Sequence, residues 1–404
     1  MYRRVRRMIK FDFNTYTDQW IEEGQYQALM NRKKEITDKF SQSDMIGWTE
    51  RIEENLLWKI KETANYIKNN FDCLVVIGIG GSFLGSYAFD KMFQNYFGGN
   101  HFEVIYAGTT LSSKYLDELM NYLKEKNFCI NVISKSGTTM ETTITYKLLK
   151  DLLKRKYDES EYKRHIIVTT DKEKGSLREE VNEMGYASFV IPNNIGGRYS
   201  FMTPAHLLPL ALNYDLDEIV SGYYHGKRLE DVAYQYAVTR YLLFQKGKVV
   251  ENFCVYEENM EFFTEWLKQL FGETEGKEGV GIFPTSTVHT RDLHSLGQFV
   301  QEGNKILFET FLKVEEMDDY IEYEGRKLHD INNLVEDSVM RAHFSGNVPC
   351  LEIIMQELDL ETVASLIYFF QLAAAYSGYL FGIEPFNQPG VEVYKKEVRE
   401  SLGE

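Results

Sequence analysis

The sequence predicts an α/β protein built as two doubly wound parallel-sheet lobes with flanking helical arms. Three features point there. Short apolar runs rich in β-branched residues recur along the chain, segments of helical periodicity separate most of them, and the clearest runs end in turns dense in glycine, serine and threonine. Strands alternating with helices imply parallel pairing through right-handed crossovers.

In chain order, residues 11–70 read as helical and show no strand signal. The runs 74–79, 102–106, 129–133, 165–169 and 188–191 then read as strands. Between two of them, residues 142–154 place Ile144, Leu148, Leu149, Leu152 and Leu153 at helical spacing. The second half repeats the theme. Strands are expected at 249–255, 280–283, 306–314 and 350–354, and a helix at 261–270 with Phe262, Phe263, Trp266, Leu267 and Leu270 on its apolar face. No repeat is visible at the level of sequence, so the two lobes rest on pattern. Only 7 prolines and no Ser/Gly-rich stretch leave no flexible linker. The expected division is a helical arm at 1–45, a first lobe at 46–195, a second lobe at 196–360, and a C-terminal helix and tail at 361–404.

A chain of 404 residues suggests two or three domains at roughly 150 residues each. Asp and Glu number 61 against 45 Lys and Arg, a net charge of −16. That balance argues against nucleic acid, whose binding rests on basic residues neutralising phosphates, and against an anionic membrane surface. It leaves small anions open, because a pocket can carry a field opposite to that of the whole molecule. Cys73, Cys129, Cys254 and Cys350 are widely spaced and form no C-x-x-C pair, which fits reduced thiols in a cytoplasmic compartment. The start, with Arg3, Arg4, Arg6 and Arg7, lacks the apolar segment of a secretory signal. It reads either as a targeting remnant or as the product of an upstream start codon ahead of Met8. Residues 362–383 carry no charge and are long enough to span a bilayer. Gln371 and Ser377 inside, with Glu361 and Glu384 at the borders, favour a helix buried in a protein core.

Two turns carry the chemistry. Gly78-Ile79-Gly80-Gly81-Ser82-Phe83-Leu84-Gly85 directly follows a strand, and its glycines permit the close backbone approach that a phosphate needs. A helix beginning near Ser82 would aim free N–H groups at the anion. The spacing is not that of the dinucleotide fingerprint, and no acidic residue ends the next strand, which argues against a dehydrogenase. Ser134-Lys135-Ser136-Gly137-Thr138-Thr139 stands at a second strand-to-helix turn, where one N-cap would need one hydroxyl rather than four. In open α/β sheets ligands bind beyond the carboxyl ends of the strands, so two such turns in one lobe point to a phosphate ester.

Further polar groups are scattered: Gly196-Gly197-Arg198-Tyr199-Ser200, Gly272-Glu273-Thr274-Glu275-Gly276-Lys277, Asp292-Leu293-His294, and Phe386-Asn387-Gln388-Pro389-Gly390-Val391-Glu392-Val393-Tyr394-Lys395. His289 and His294 are five apart and share no helix face, so they do not read as a zinc pair. With GIGGSFLG, SKSGTTMET, GGRYS, GETEGK, DLHSLGQ and FNQPGVEVYK in this order from Gly78 to Lys395, the chain resembles the glucose-6-phosphate isomerases, in their shorter bacterial-type branch.

The resemblance implies two sugar-isomerase (SIS-type) lobes and the interconversion of glucose 6-phosphate and fructose 6-phosphate, without metal or organic cofactor. It matches Ser82, Ser134, Ser136 and Thr139 to the phosphate cradle, completed by Gly81, Lys135, Gly137 and Thr138. Glu273 matches the base that moves a proton between C2 and C1 through a cis-enediol. Glu275, two residues on, is the decoy that spacing does not distinguish. Arg198 matches the group that stabilises charge on the enediol oxygens, and His294 with Lys395 the pair that opens the sugar ring. Gln269 and Gln388 match substrate-contacting amides. In the family the histidine reaches the site from a neighbouring subunit, so a homodimer is implied. Two alternatives stand beside this reading. One is an isomerase for which mannose 6-phosphate is a second or main substrate. The other is a phosphosugar-sensing regulator, which would lack the set Glu273, His294 and Lys395 and carry a DNA-binding module.

Overall fold

A computed structural model describes residues 9–318 and 321–403; the arginine-rich start lies outside the described residues. The described residues divide into two compact units, one formed by residues 44–217 and the other by residues 9–43 with 218–318 and 321–403.

The second unit begins with strand β1 (Ile9–Tyr16), in place of the expected purely helical arm. Ile9, Phe11 and Phe13 alternate onto one side of the strand, and Phe11 and Phe13 pack their rings on Phe369 and Tyr236. The pattern is short and half polar, because β1 lies at a sheet edge. Its partner is more than three hundred residues away in sequence: Lys10 pairs with Ile354. No local reading of the first segment reveals such a partner.

Residues 44–217 form a five-stranded sheet of β2 (Cys73–Ile77), β3 (Glu103–Ala107), β4 (Phe128–Ile133), β5 (Ile166–Thr170) and β6 (Ala187–Val190), in the order β3-β2-β4-β5-β6. All pairings are parallel. β2, β4 and β5 are buried along their whole length, so their residues form near-continuous apolar runs. The crossover helices Ser113–Lys124 and Met140–Lys156 contribute Leu119, Leu123, Leu149, Leu152 and Leu153 to the core beside Val75, Ile130 and Val168. The expected strands stand within two residues of those observed, since glycine and charged turns bound each run.

The other sheet joins β7 (Val250–Val255), β8 (Phe283–Val288), β9 (Leu307–Glu316) and β12 (Cys350–Glu357) to β1, in the order β1-β12-β9-β7-β8. A two-stranded ribbon, β10 (Glu322–Tyr323) with β11 (Arg326–Lys327), follows β9. The strand expected at 280–283 instead begins at Phe283. Gly279 and Gly281, with φ of 77° and 127°, hold the preceding residues in a turn. Pro284 is tolerated within β8 because β8 is the opposite edge of the sheet. The long apolar segment is the helix Leu360–Phe381, capped by the Asp359 carboxylate on Thr362 N at 2.7 Å and ended by Gly382 at φ 81°. It is long and apolar enough to cross a membrane, but 94% of its apolar window is buried, as a core helix requires.

The expected division therefore changes. The division at 195/196 lies instead at 217/218, and segments 9–43 and 361–403 fold with the second lobe rather than as separate arms. Arg198, expected in the second lobe, belongs to the first. The physical reason is that the turn Gly197–Met202 and the helix Pro204–Leu210 continue the packing of the first sheet's helices. All four cysteines are buried and free.

Candidate active site

In the first lobe β2 is flanked by β3 on one side and β4 on the other. The chain passes from β2 to β3 and then back across to β4, which makes β2/β4 the switch point of the sheet. Gly81 and Ser82 leave β2 in the tight turn Gly80–Ser82, and the helix Leu84–Phe93 follows two residues after the start expected for it. Ser134–Thr139 leave β4 and lead into Met140–Lys156. The adjacent strand ends bring the two turns together: Ile77 stands beside Val132 in the parallel register.

Within the second turn, the Ser134 hydroxyl accepts the Gly137 N–H at 3.0 Å, and Ser136 Oγ accepts the Thr138 N–H at 3.2 Å. Gly137 has φ 71°, and a Cβ there would approach Ser176 Oγ to 2.5 Å. Thr139 is the N-cap residue, yet its side chain makes no capping bond, so the first N–H groups of the helix point to the loop without that competitor. Lys135 donates to the carbonyl of Asn193 at 3.2 Å, and burial lowers its pKa from the ordinary lysine value.

The first turn is held from behind by residues whose supporting role no sequence motif reveals. A Cβ on Gly81 would overlap the carbonyl carbon of Gly197, the residue before Arg198. Ser200 Oγ stands 2.9 Å from the Gly81 carbonyl and 2.6 Å from that of Gly197. The buried His206 accepts the Ser86 N–H on Nδ1 at 3.0 Å and reaches the Gly81 carbonyl with Nε2 at 2.8 Å. These partners fix the neutral tautomer with the proton on Nε2, and burial pushes the pKa down to about 4. Arg198 is buried, lies over the ring of Tyr199 at 5.5 Å, and Tyr199 stacks on Trp48. Ser200 and His206 escape a reading of the sequence as supports of Gly81, because only the fold brings position 206 to position 81.

In the second lobe, Gln269 and Glu273 lie one turn apart on the helix Glu261–Glu275, and the Gln269 amide donates to Glu273 Oε1 at 3.0 Å. Glu273 is half-buried. Glu275 differs in kind: it is fully buried, paired with the equally buried Arg240, and its Oε2 accepts the Ile282 N–H at 3.2 Å. Arg240 also binds Glu251 at 2.8 Å and Ser377 Oγ at 2.8 Å. Glu275 is thus held in an internal ion pair, and Glu273 is the carboxylate left toward the surface. Lys277 donates to the Glu384 carbonyl, tying the segment after Glu273 to the one that leads to Gln388. Gln388 is exposed. Lys395 lies exposed on the helix Gly390–Leu402 and pairs with Glu392 at 2.9 Å. His294 ends the turn Arg291–His294 and is exposed, with Asp292 bracing that turn by accepting the Val288 N–H at 2.7 Å.

Residues 41–312 and 312–403 match the family described as phosphoglucose isomerase. Proteins described as glucose-6-phosphate isomerase from Staphylococcus haemolyticus and from Staphylococcus aureus (strain Mu3) are 42% and 41% identical over 387 residues, covering 89% of this chain and 87% of their own. A glucose-6-phosphate isomerase structure from Chlamydia trachomatis shares the fold with a TM-score of 0.84 at 18% identity, over 98% of this chain and 88% of that one. With such identity across nearly the whole length, the chain belongs to the phosphoglucose isomerase family.

Proposed function

We propose that this chain interconverts glucose 6-phosphate and fructose 6-phosphate, with the sugar phosphate anchored in the first lobe. The observation that carries the reading is the pair of Gly/Ser/Thr turns at the switch point, on the adjacent strands β2 and β4. In the proposed assignment, the hydroxyls of Ser82, Ser134, Ser136 and Thr139 and the amides of Gly81, Lys135, Gly137 and Thr138 hold the phosphate dianion. Binding energy at that remote group positions the sugar for reaction. Glu273 takes the proton from C2 and returns it to C1 of the cis-enediol. The internal pairing of Glu275 with Arg240 supports that choice between the two carboxylates. Arg198, permanently protonated, offsets charge on the enediol oxygens. His294 and Lys395 exchange the O1 and O5 protons in ring opening, and Gln269 and Gln388 contact the substrate. His294 is assigned to act on the neighbouring subunit's site, in a cytoplasmic homodimer.

A coupled assay running from fructose 6-phosphate to glucose 6-phosphate tests the reading. Glu273→Gln is expected to lower kcat by about 10²–10⁴-fold, the usual contribution of a positioned general base. Full activity in that variant would remove Glu273 from its role, and no turnover by the unaltered chain would remove the activity itself.

A further inference from the structure

We propose that the second lobe holds a structural divalent transition-metal ion, of the zinc type, between Cys254, His289 and Glu309. The site belongs to neither turn of the phosphate cradle and includes none of the residues assigned to the reaction.

The sheet itself assembles the donors. Cys254 lies on β7 and Glu309 on the neighbouring β9, while His289 directly follows the end of β8, the neighbour of β7 on its other side. Asn252 stands opposite Glu309 in the β7–β9 register, and Cys254 opposite Thr287 in the β7–β8 register. With a side-chain period of two, these residues and His289 share one face of the sheet. One donor atom from each of Cys254, His289 and Glu309 lies within 4.8 Å of the others. All three side chains are buried, His289 to 5% exposure and the other two completely.

Hydrogen bonding inside the chain leaves this cluster incomplete. His289 Nδ1 and Asn252 Oδ1 are buried and have no partner. A buried imidazole nitrogen without a partner is a rare and unfavourable state, and a metal ion satisfies it. Glu309 is already oriented as a ligating carboxylate is. One oxygen accepts from His343 Nδ1 at 2.6 Å, on the helix Leu328–Ser345, and the other faces Asn252 Nδ2 at 3.0 Å and Cys254 Sγ at 3.4 Å. A half-turn of the Asn252 amide places its unpartnered oxygen where Nδ2 now stands, beside Sγ, and supplies a fourth donor.

Charge and softness select the ion. A thiolate and a carboxylate neutralise a divalent cation, and the imidazole adds no charge. Sulfur with nitrogen suits zinc or cobalt and disfavours magnesium and calcium. Bonds of about 2.0–2.3 Å require tetrahedral donors about 3.3–3.8 Å apart, so the cluster contracts slightly around the ion. Binding is balanced by one proton: the Cys254 thiol releases H⁺ to solvent as its sulfur bonds the metal. The ion joins three neighbouring strands and occupies a closed, buried position, a structural rather than catalytic arrangement.

The experiment is to refold the full chain in cobalt(II) and, separately, in zinc(II), remove free metal, and measure metal content and the absorption spectrum. About one ion per folded chain is expected, with a sulfur-to-cobalt charge-transfer band and the strong visible bands of tetrahedral cobalt. Cys254→Ser loses the charge-transfer band and His289→Ala loses the ion, whereas Cys350→Ser keeps both. If the folded, unaltered chain takes up no ion, or binds cobalt without the charge-transfer band, the proposal is overturned. Retention of that band in Cys254→Ser overturns it as well. The readings on the unaltered chain decide the matter even if a variant fails to fold.

Discussion

Counted from its own first parallel strand, each lobe arranges its sheet in the order 2-1-3-4, and the two differ in what completes it. The first lobe, the phosphate lobe of the proposed function, adds β6 as a further parallel strand from the chain that follows. The other lobe adds β1, antiparallel, from the start of the chain. They also keep their polar residues in different places. In the phosphate lobe the chemistry-bearing groups sit in turns beyond the strand ends, held by backbone carbonyls, hydroxyls and a neutral histidine. In the other lobe ionic groups run through the interior, as Arg240 with Glu251 and Glu275. One lobe presents its polar groups through backbone shape. The other does so through charges that must stay paired.

That contrast is broken most severely in the ionic interior. Arg240→Leu leaves two buried carboxylates without their cation, and loss of one partner from a buried pair costs about 3–5 kcal/mol. Urea unfolding is expected to show a loss of that size. A change below about 1 kcal/mol would mean that the interior charges are not coupled as described.

Acid and alkali separate the lobes next. His206 has its folded pKa lowered from 6.5 to about 4, so the folded state binds fewer protons than the unfolded one. The stability it confers is full above pH 6.5 and is lost as the pH falls toward 4, in all roughly 3 kcal/mol at about 1.4 kcal/mol per unit. Glu336 in the other lobe has the opposite sign. Burial raises its pKa from 4.5 to about 8, so the stability tied to its neutral form is present below pH 4.5 and lost as the pH rises through 8. Hydrogen exchange resolved by lobe is therefore expected to show the phosphate lobe weakening toward pH 4.5 and the other toward pH 8. Glu336→Gln is expected to flatten the alkaline limb alone, and an equal decline in that variant would count against Glu336 as its source.

Smaller changes sharpen the contrast within the cradle. Ser134→Ala removes the hydroxyl that holds the Gly137 N–H and, in the proposed reading, a donor to the phosphate. A hydrogen bond to a charged group contributes about 1.5–3 kcal/mol, so KM is expected to rise roughly 10- to 100-fold while the unfolding midpoint moves little. An unchanged KM would exclude Ser134 from the cradle. Gly137→Ala forces an L residue to φ 71° against Ser176, at about 1–2 kcal/mol, read as a lower melting temperature together with weaker substrate binding.

The phosphate lobe is also the more legible of the two. β2, β4 and β5 are buried from end to end, so each appears in the sequence as an unbroken apolar run bounded by glycine or charge. The two turns are legible as strand-to-helix turns because their glycines and hydroxyls stand side by side in the sequence. β1 escapes because its identity depends on β12, and Arg198 falls outside its expected lobe because the first unit continues past the last strand of its sheet. In the proposed function the choice between Glu273 and Glu275 rests on Arg240, thirty-five residues before Glu275. The cluster of Cys254, His289 and Glu309 is drawn from two strands and the residue that follows a third, and spacing along the chain conceals it. Local chemistry is written in adjacent letters, whereas the partners that decide charge and burial are contributed by distant ones.

The contact between Gly81 and Gly197 has a mechanical consequence. A methyl group fits on Gly197, but none fits on Gly81, whose Cβ direction is filled by the other turn's backbone. Ser200 bridges both carbonyls, and His206 grips the first. The loop that follows β2 and the loop that carries Arg198 are therefore in direct backbone contact, tied together by the Ser200 hydroxyl and the His206 ring. On the proposed function, a sugar phosphate held by the first turn would meet an arginine whose loop already rests against that turn, so no closure of these two loops on each other is required.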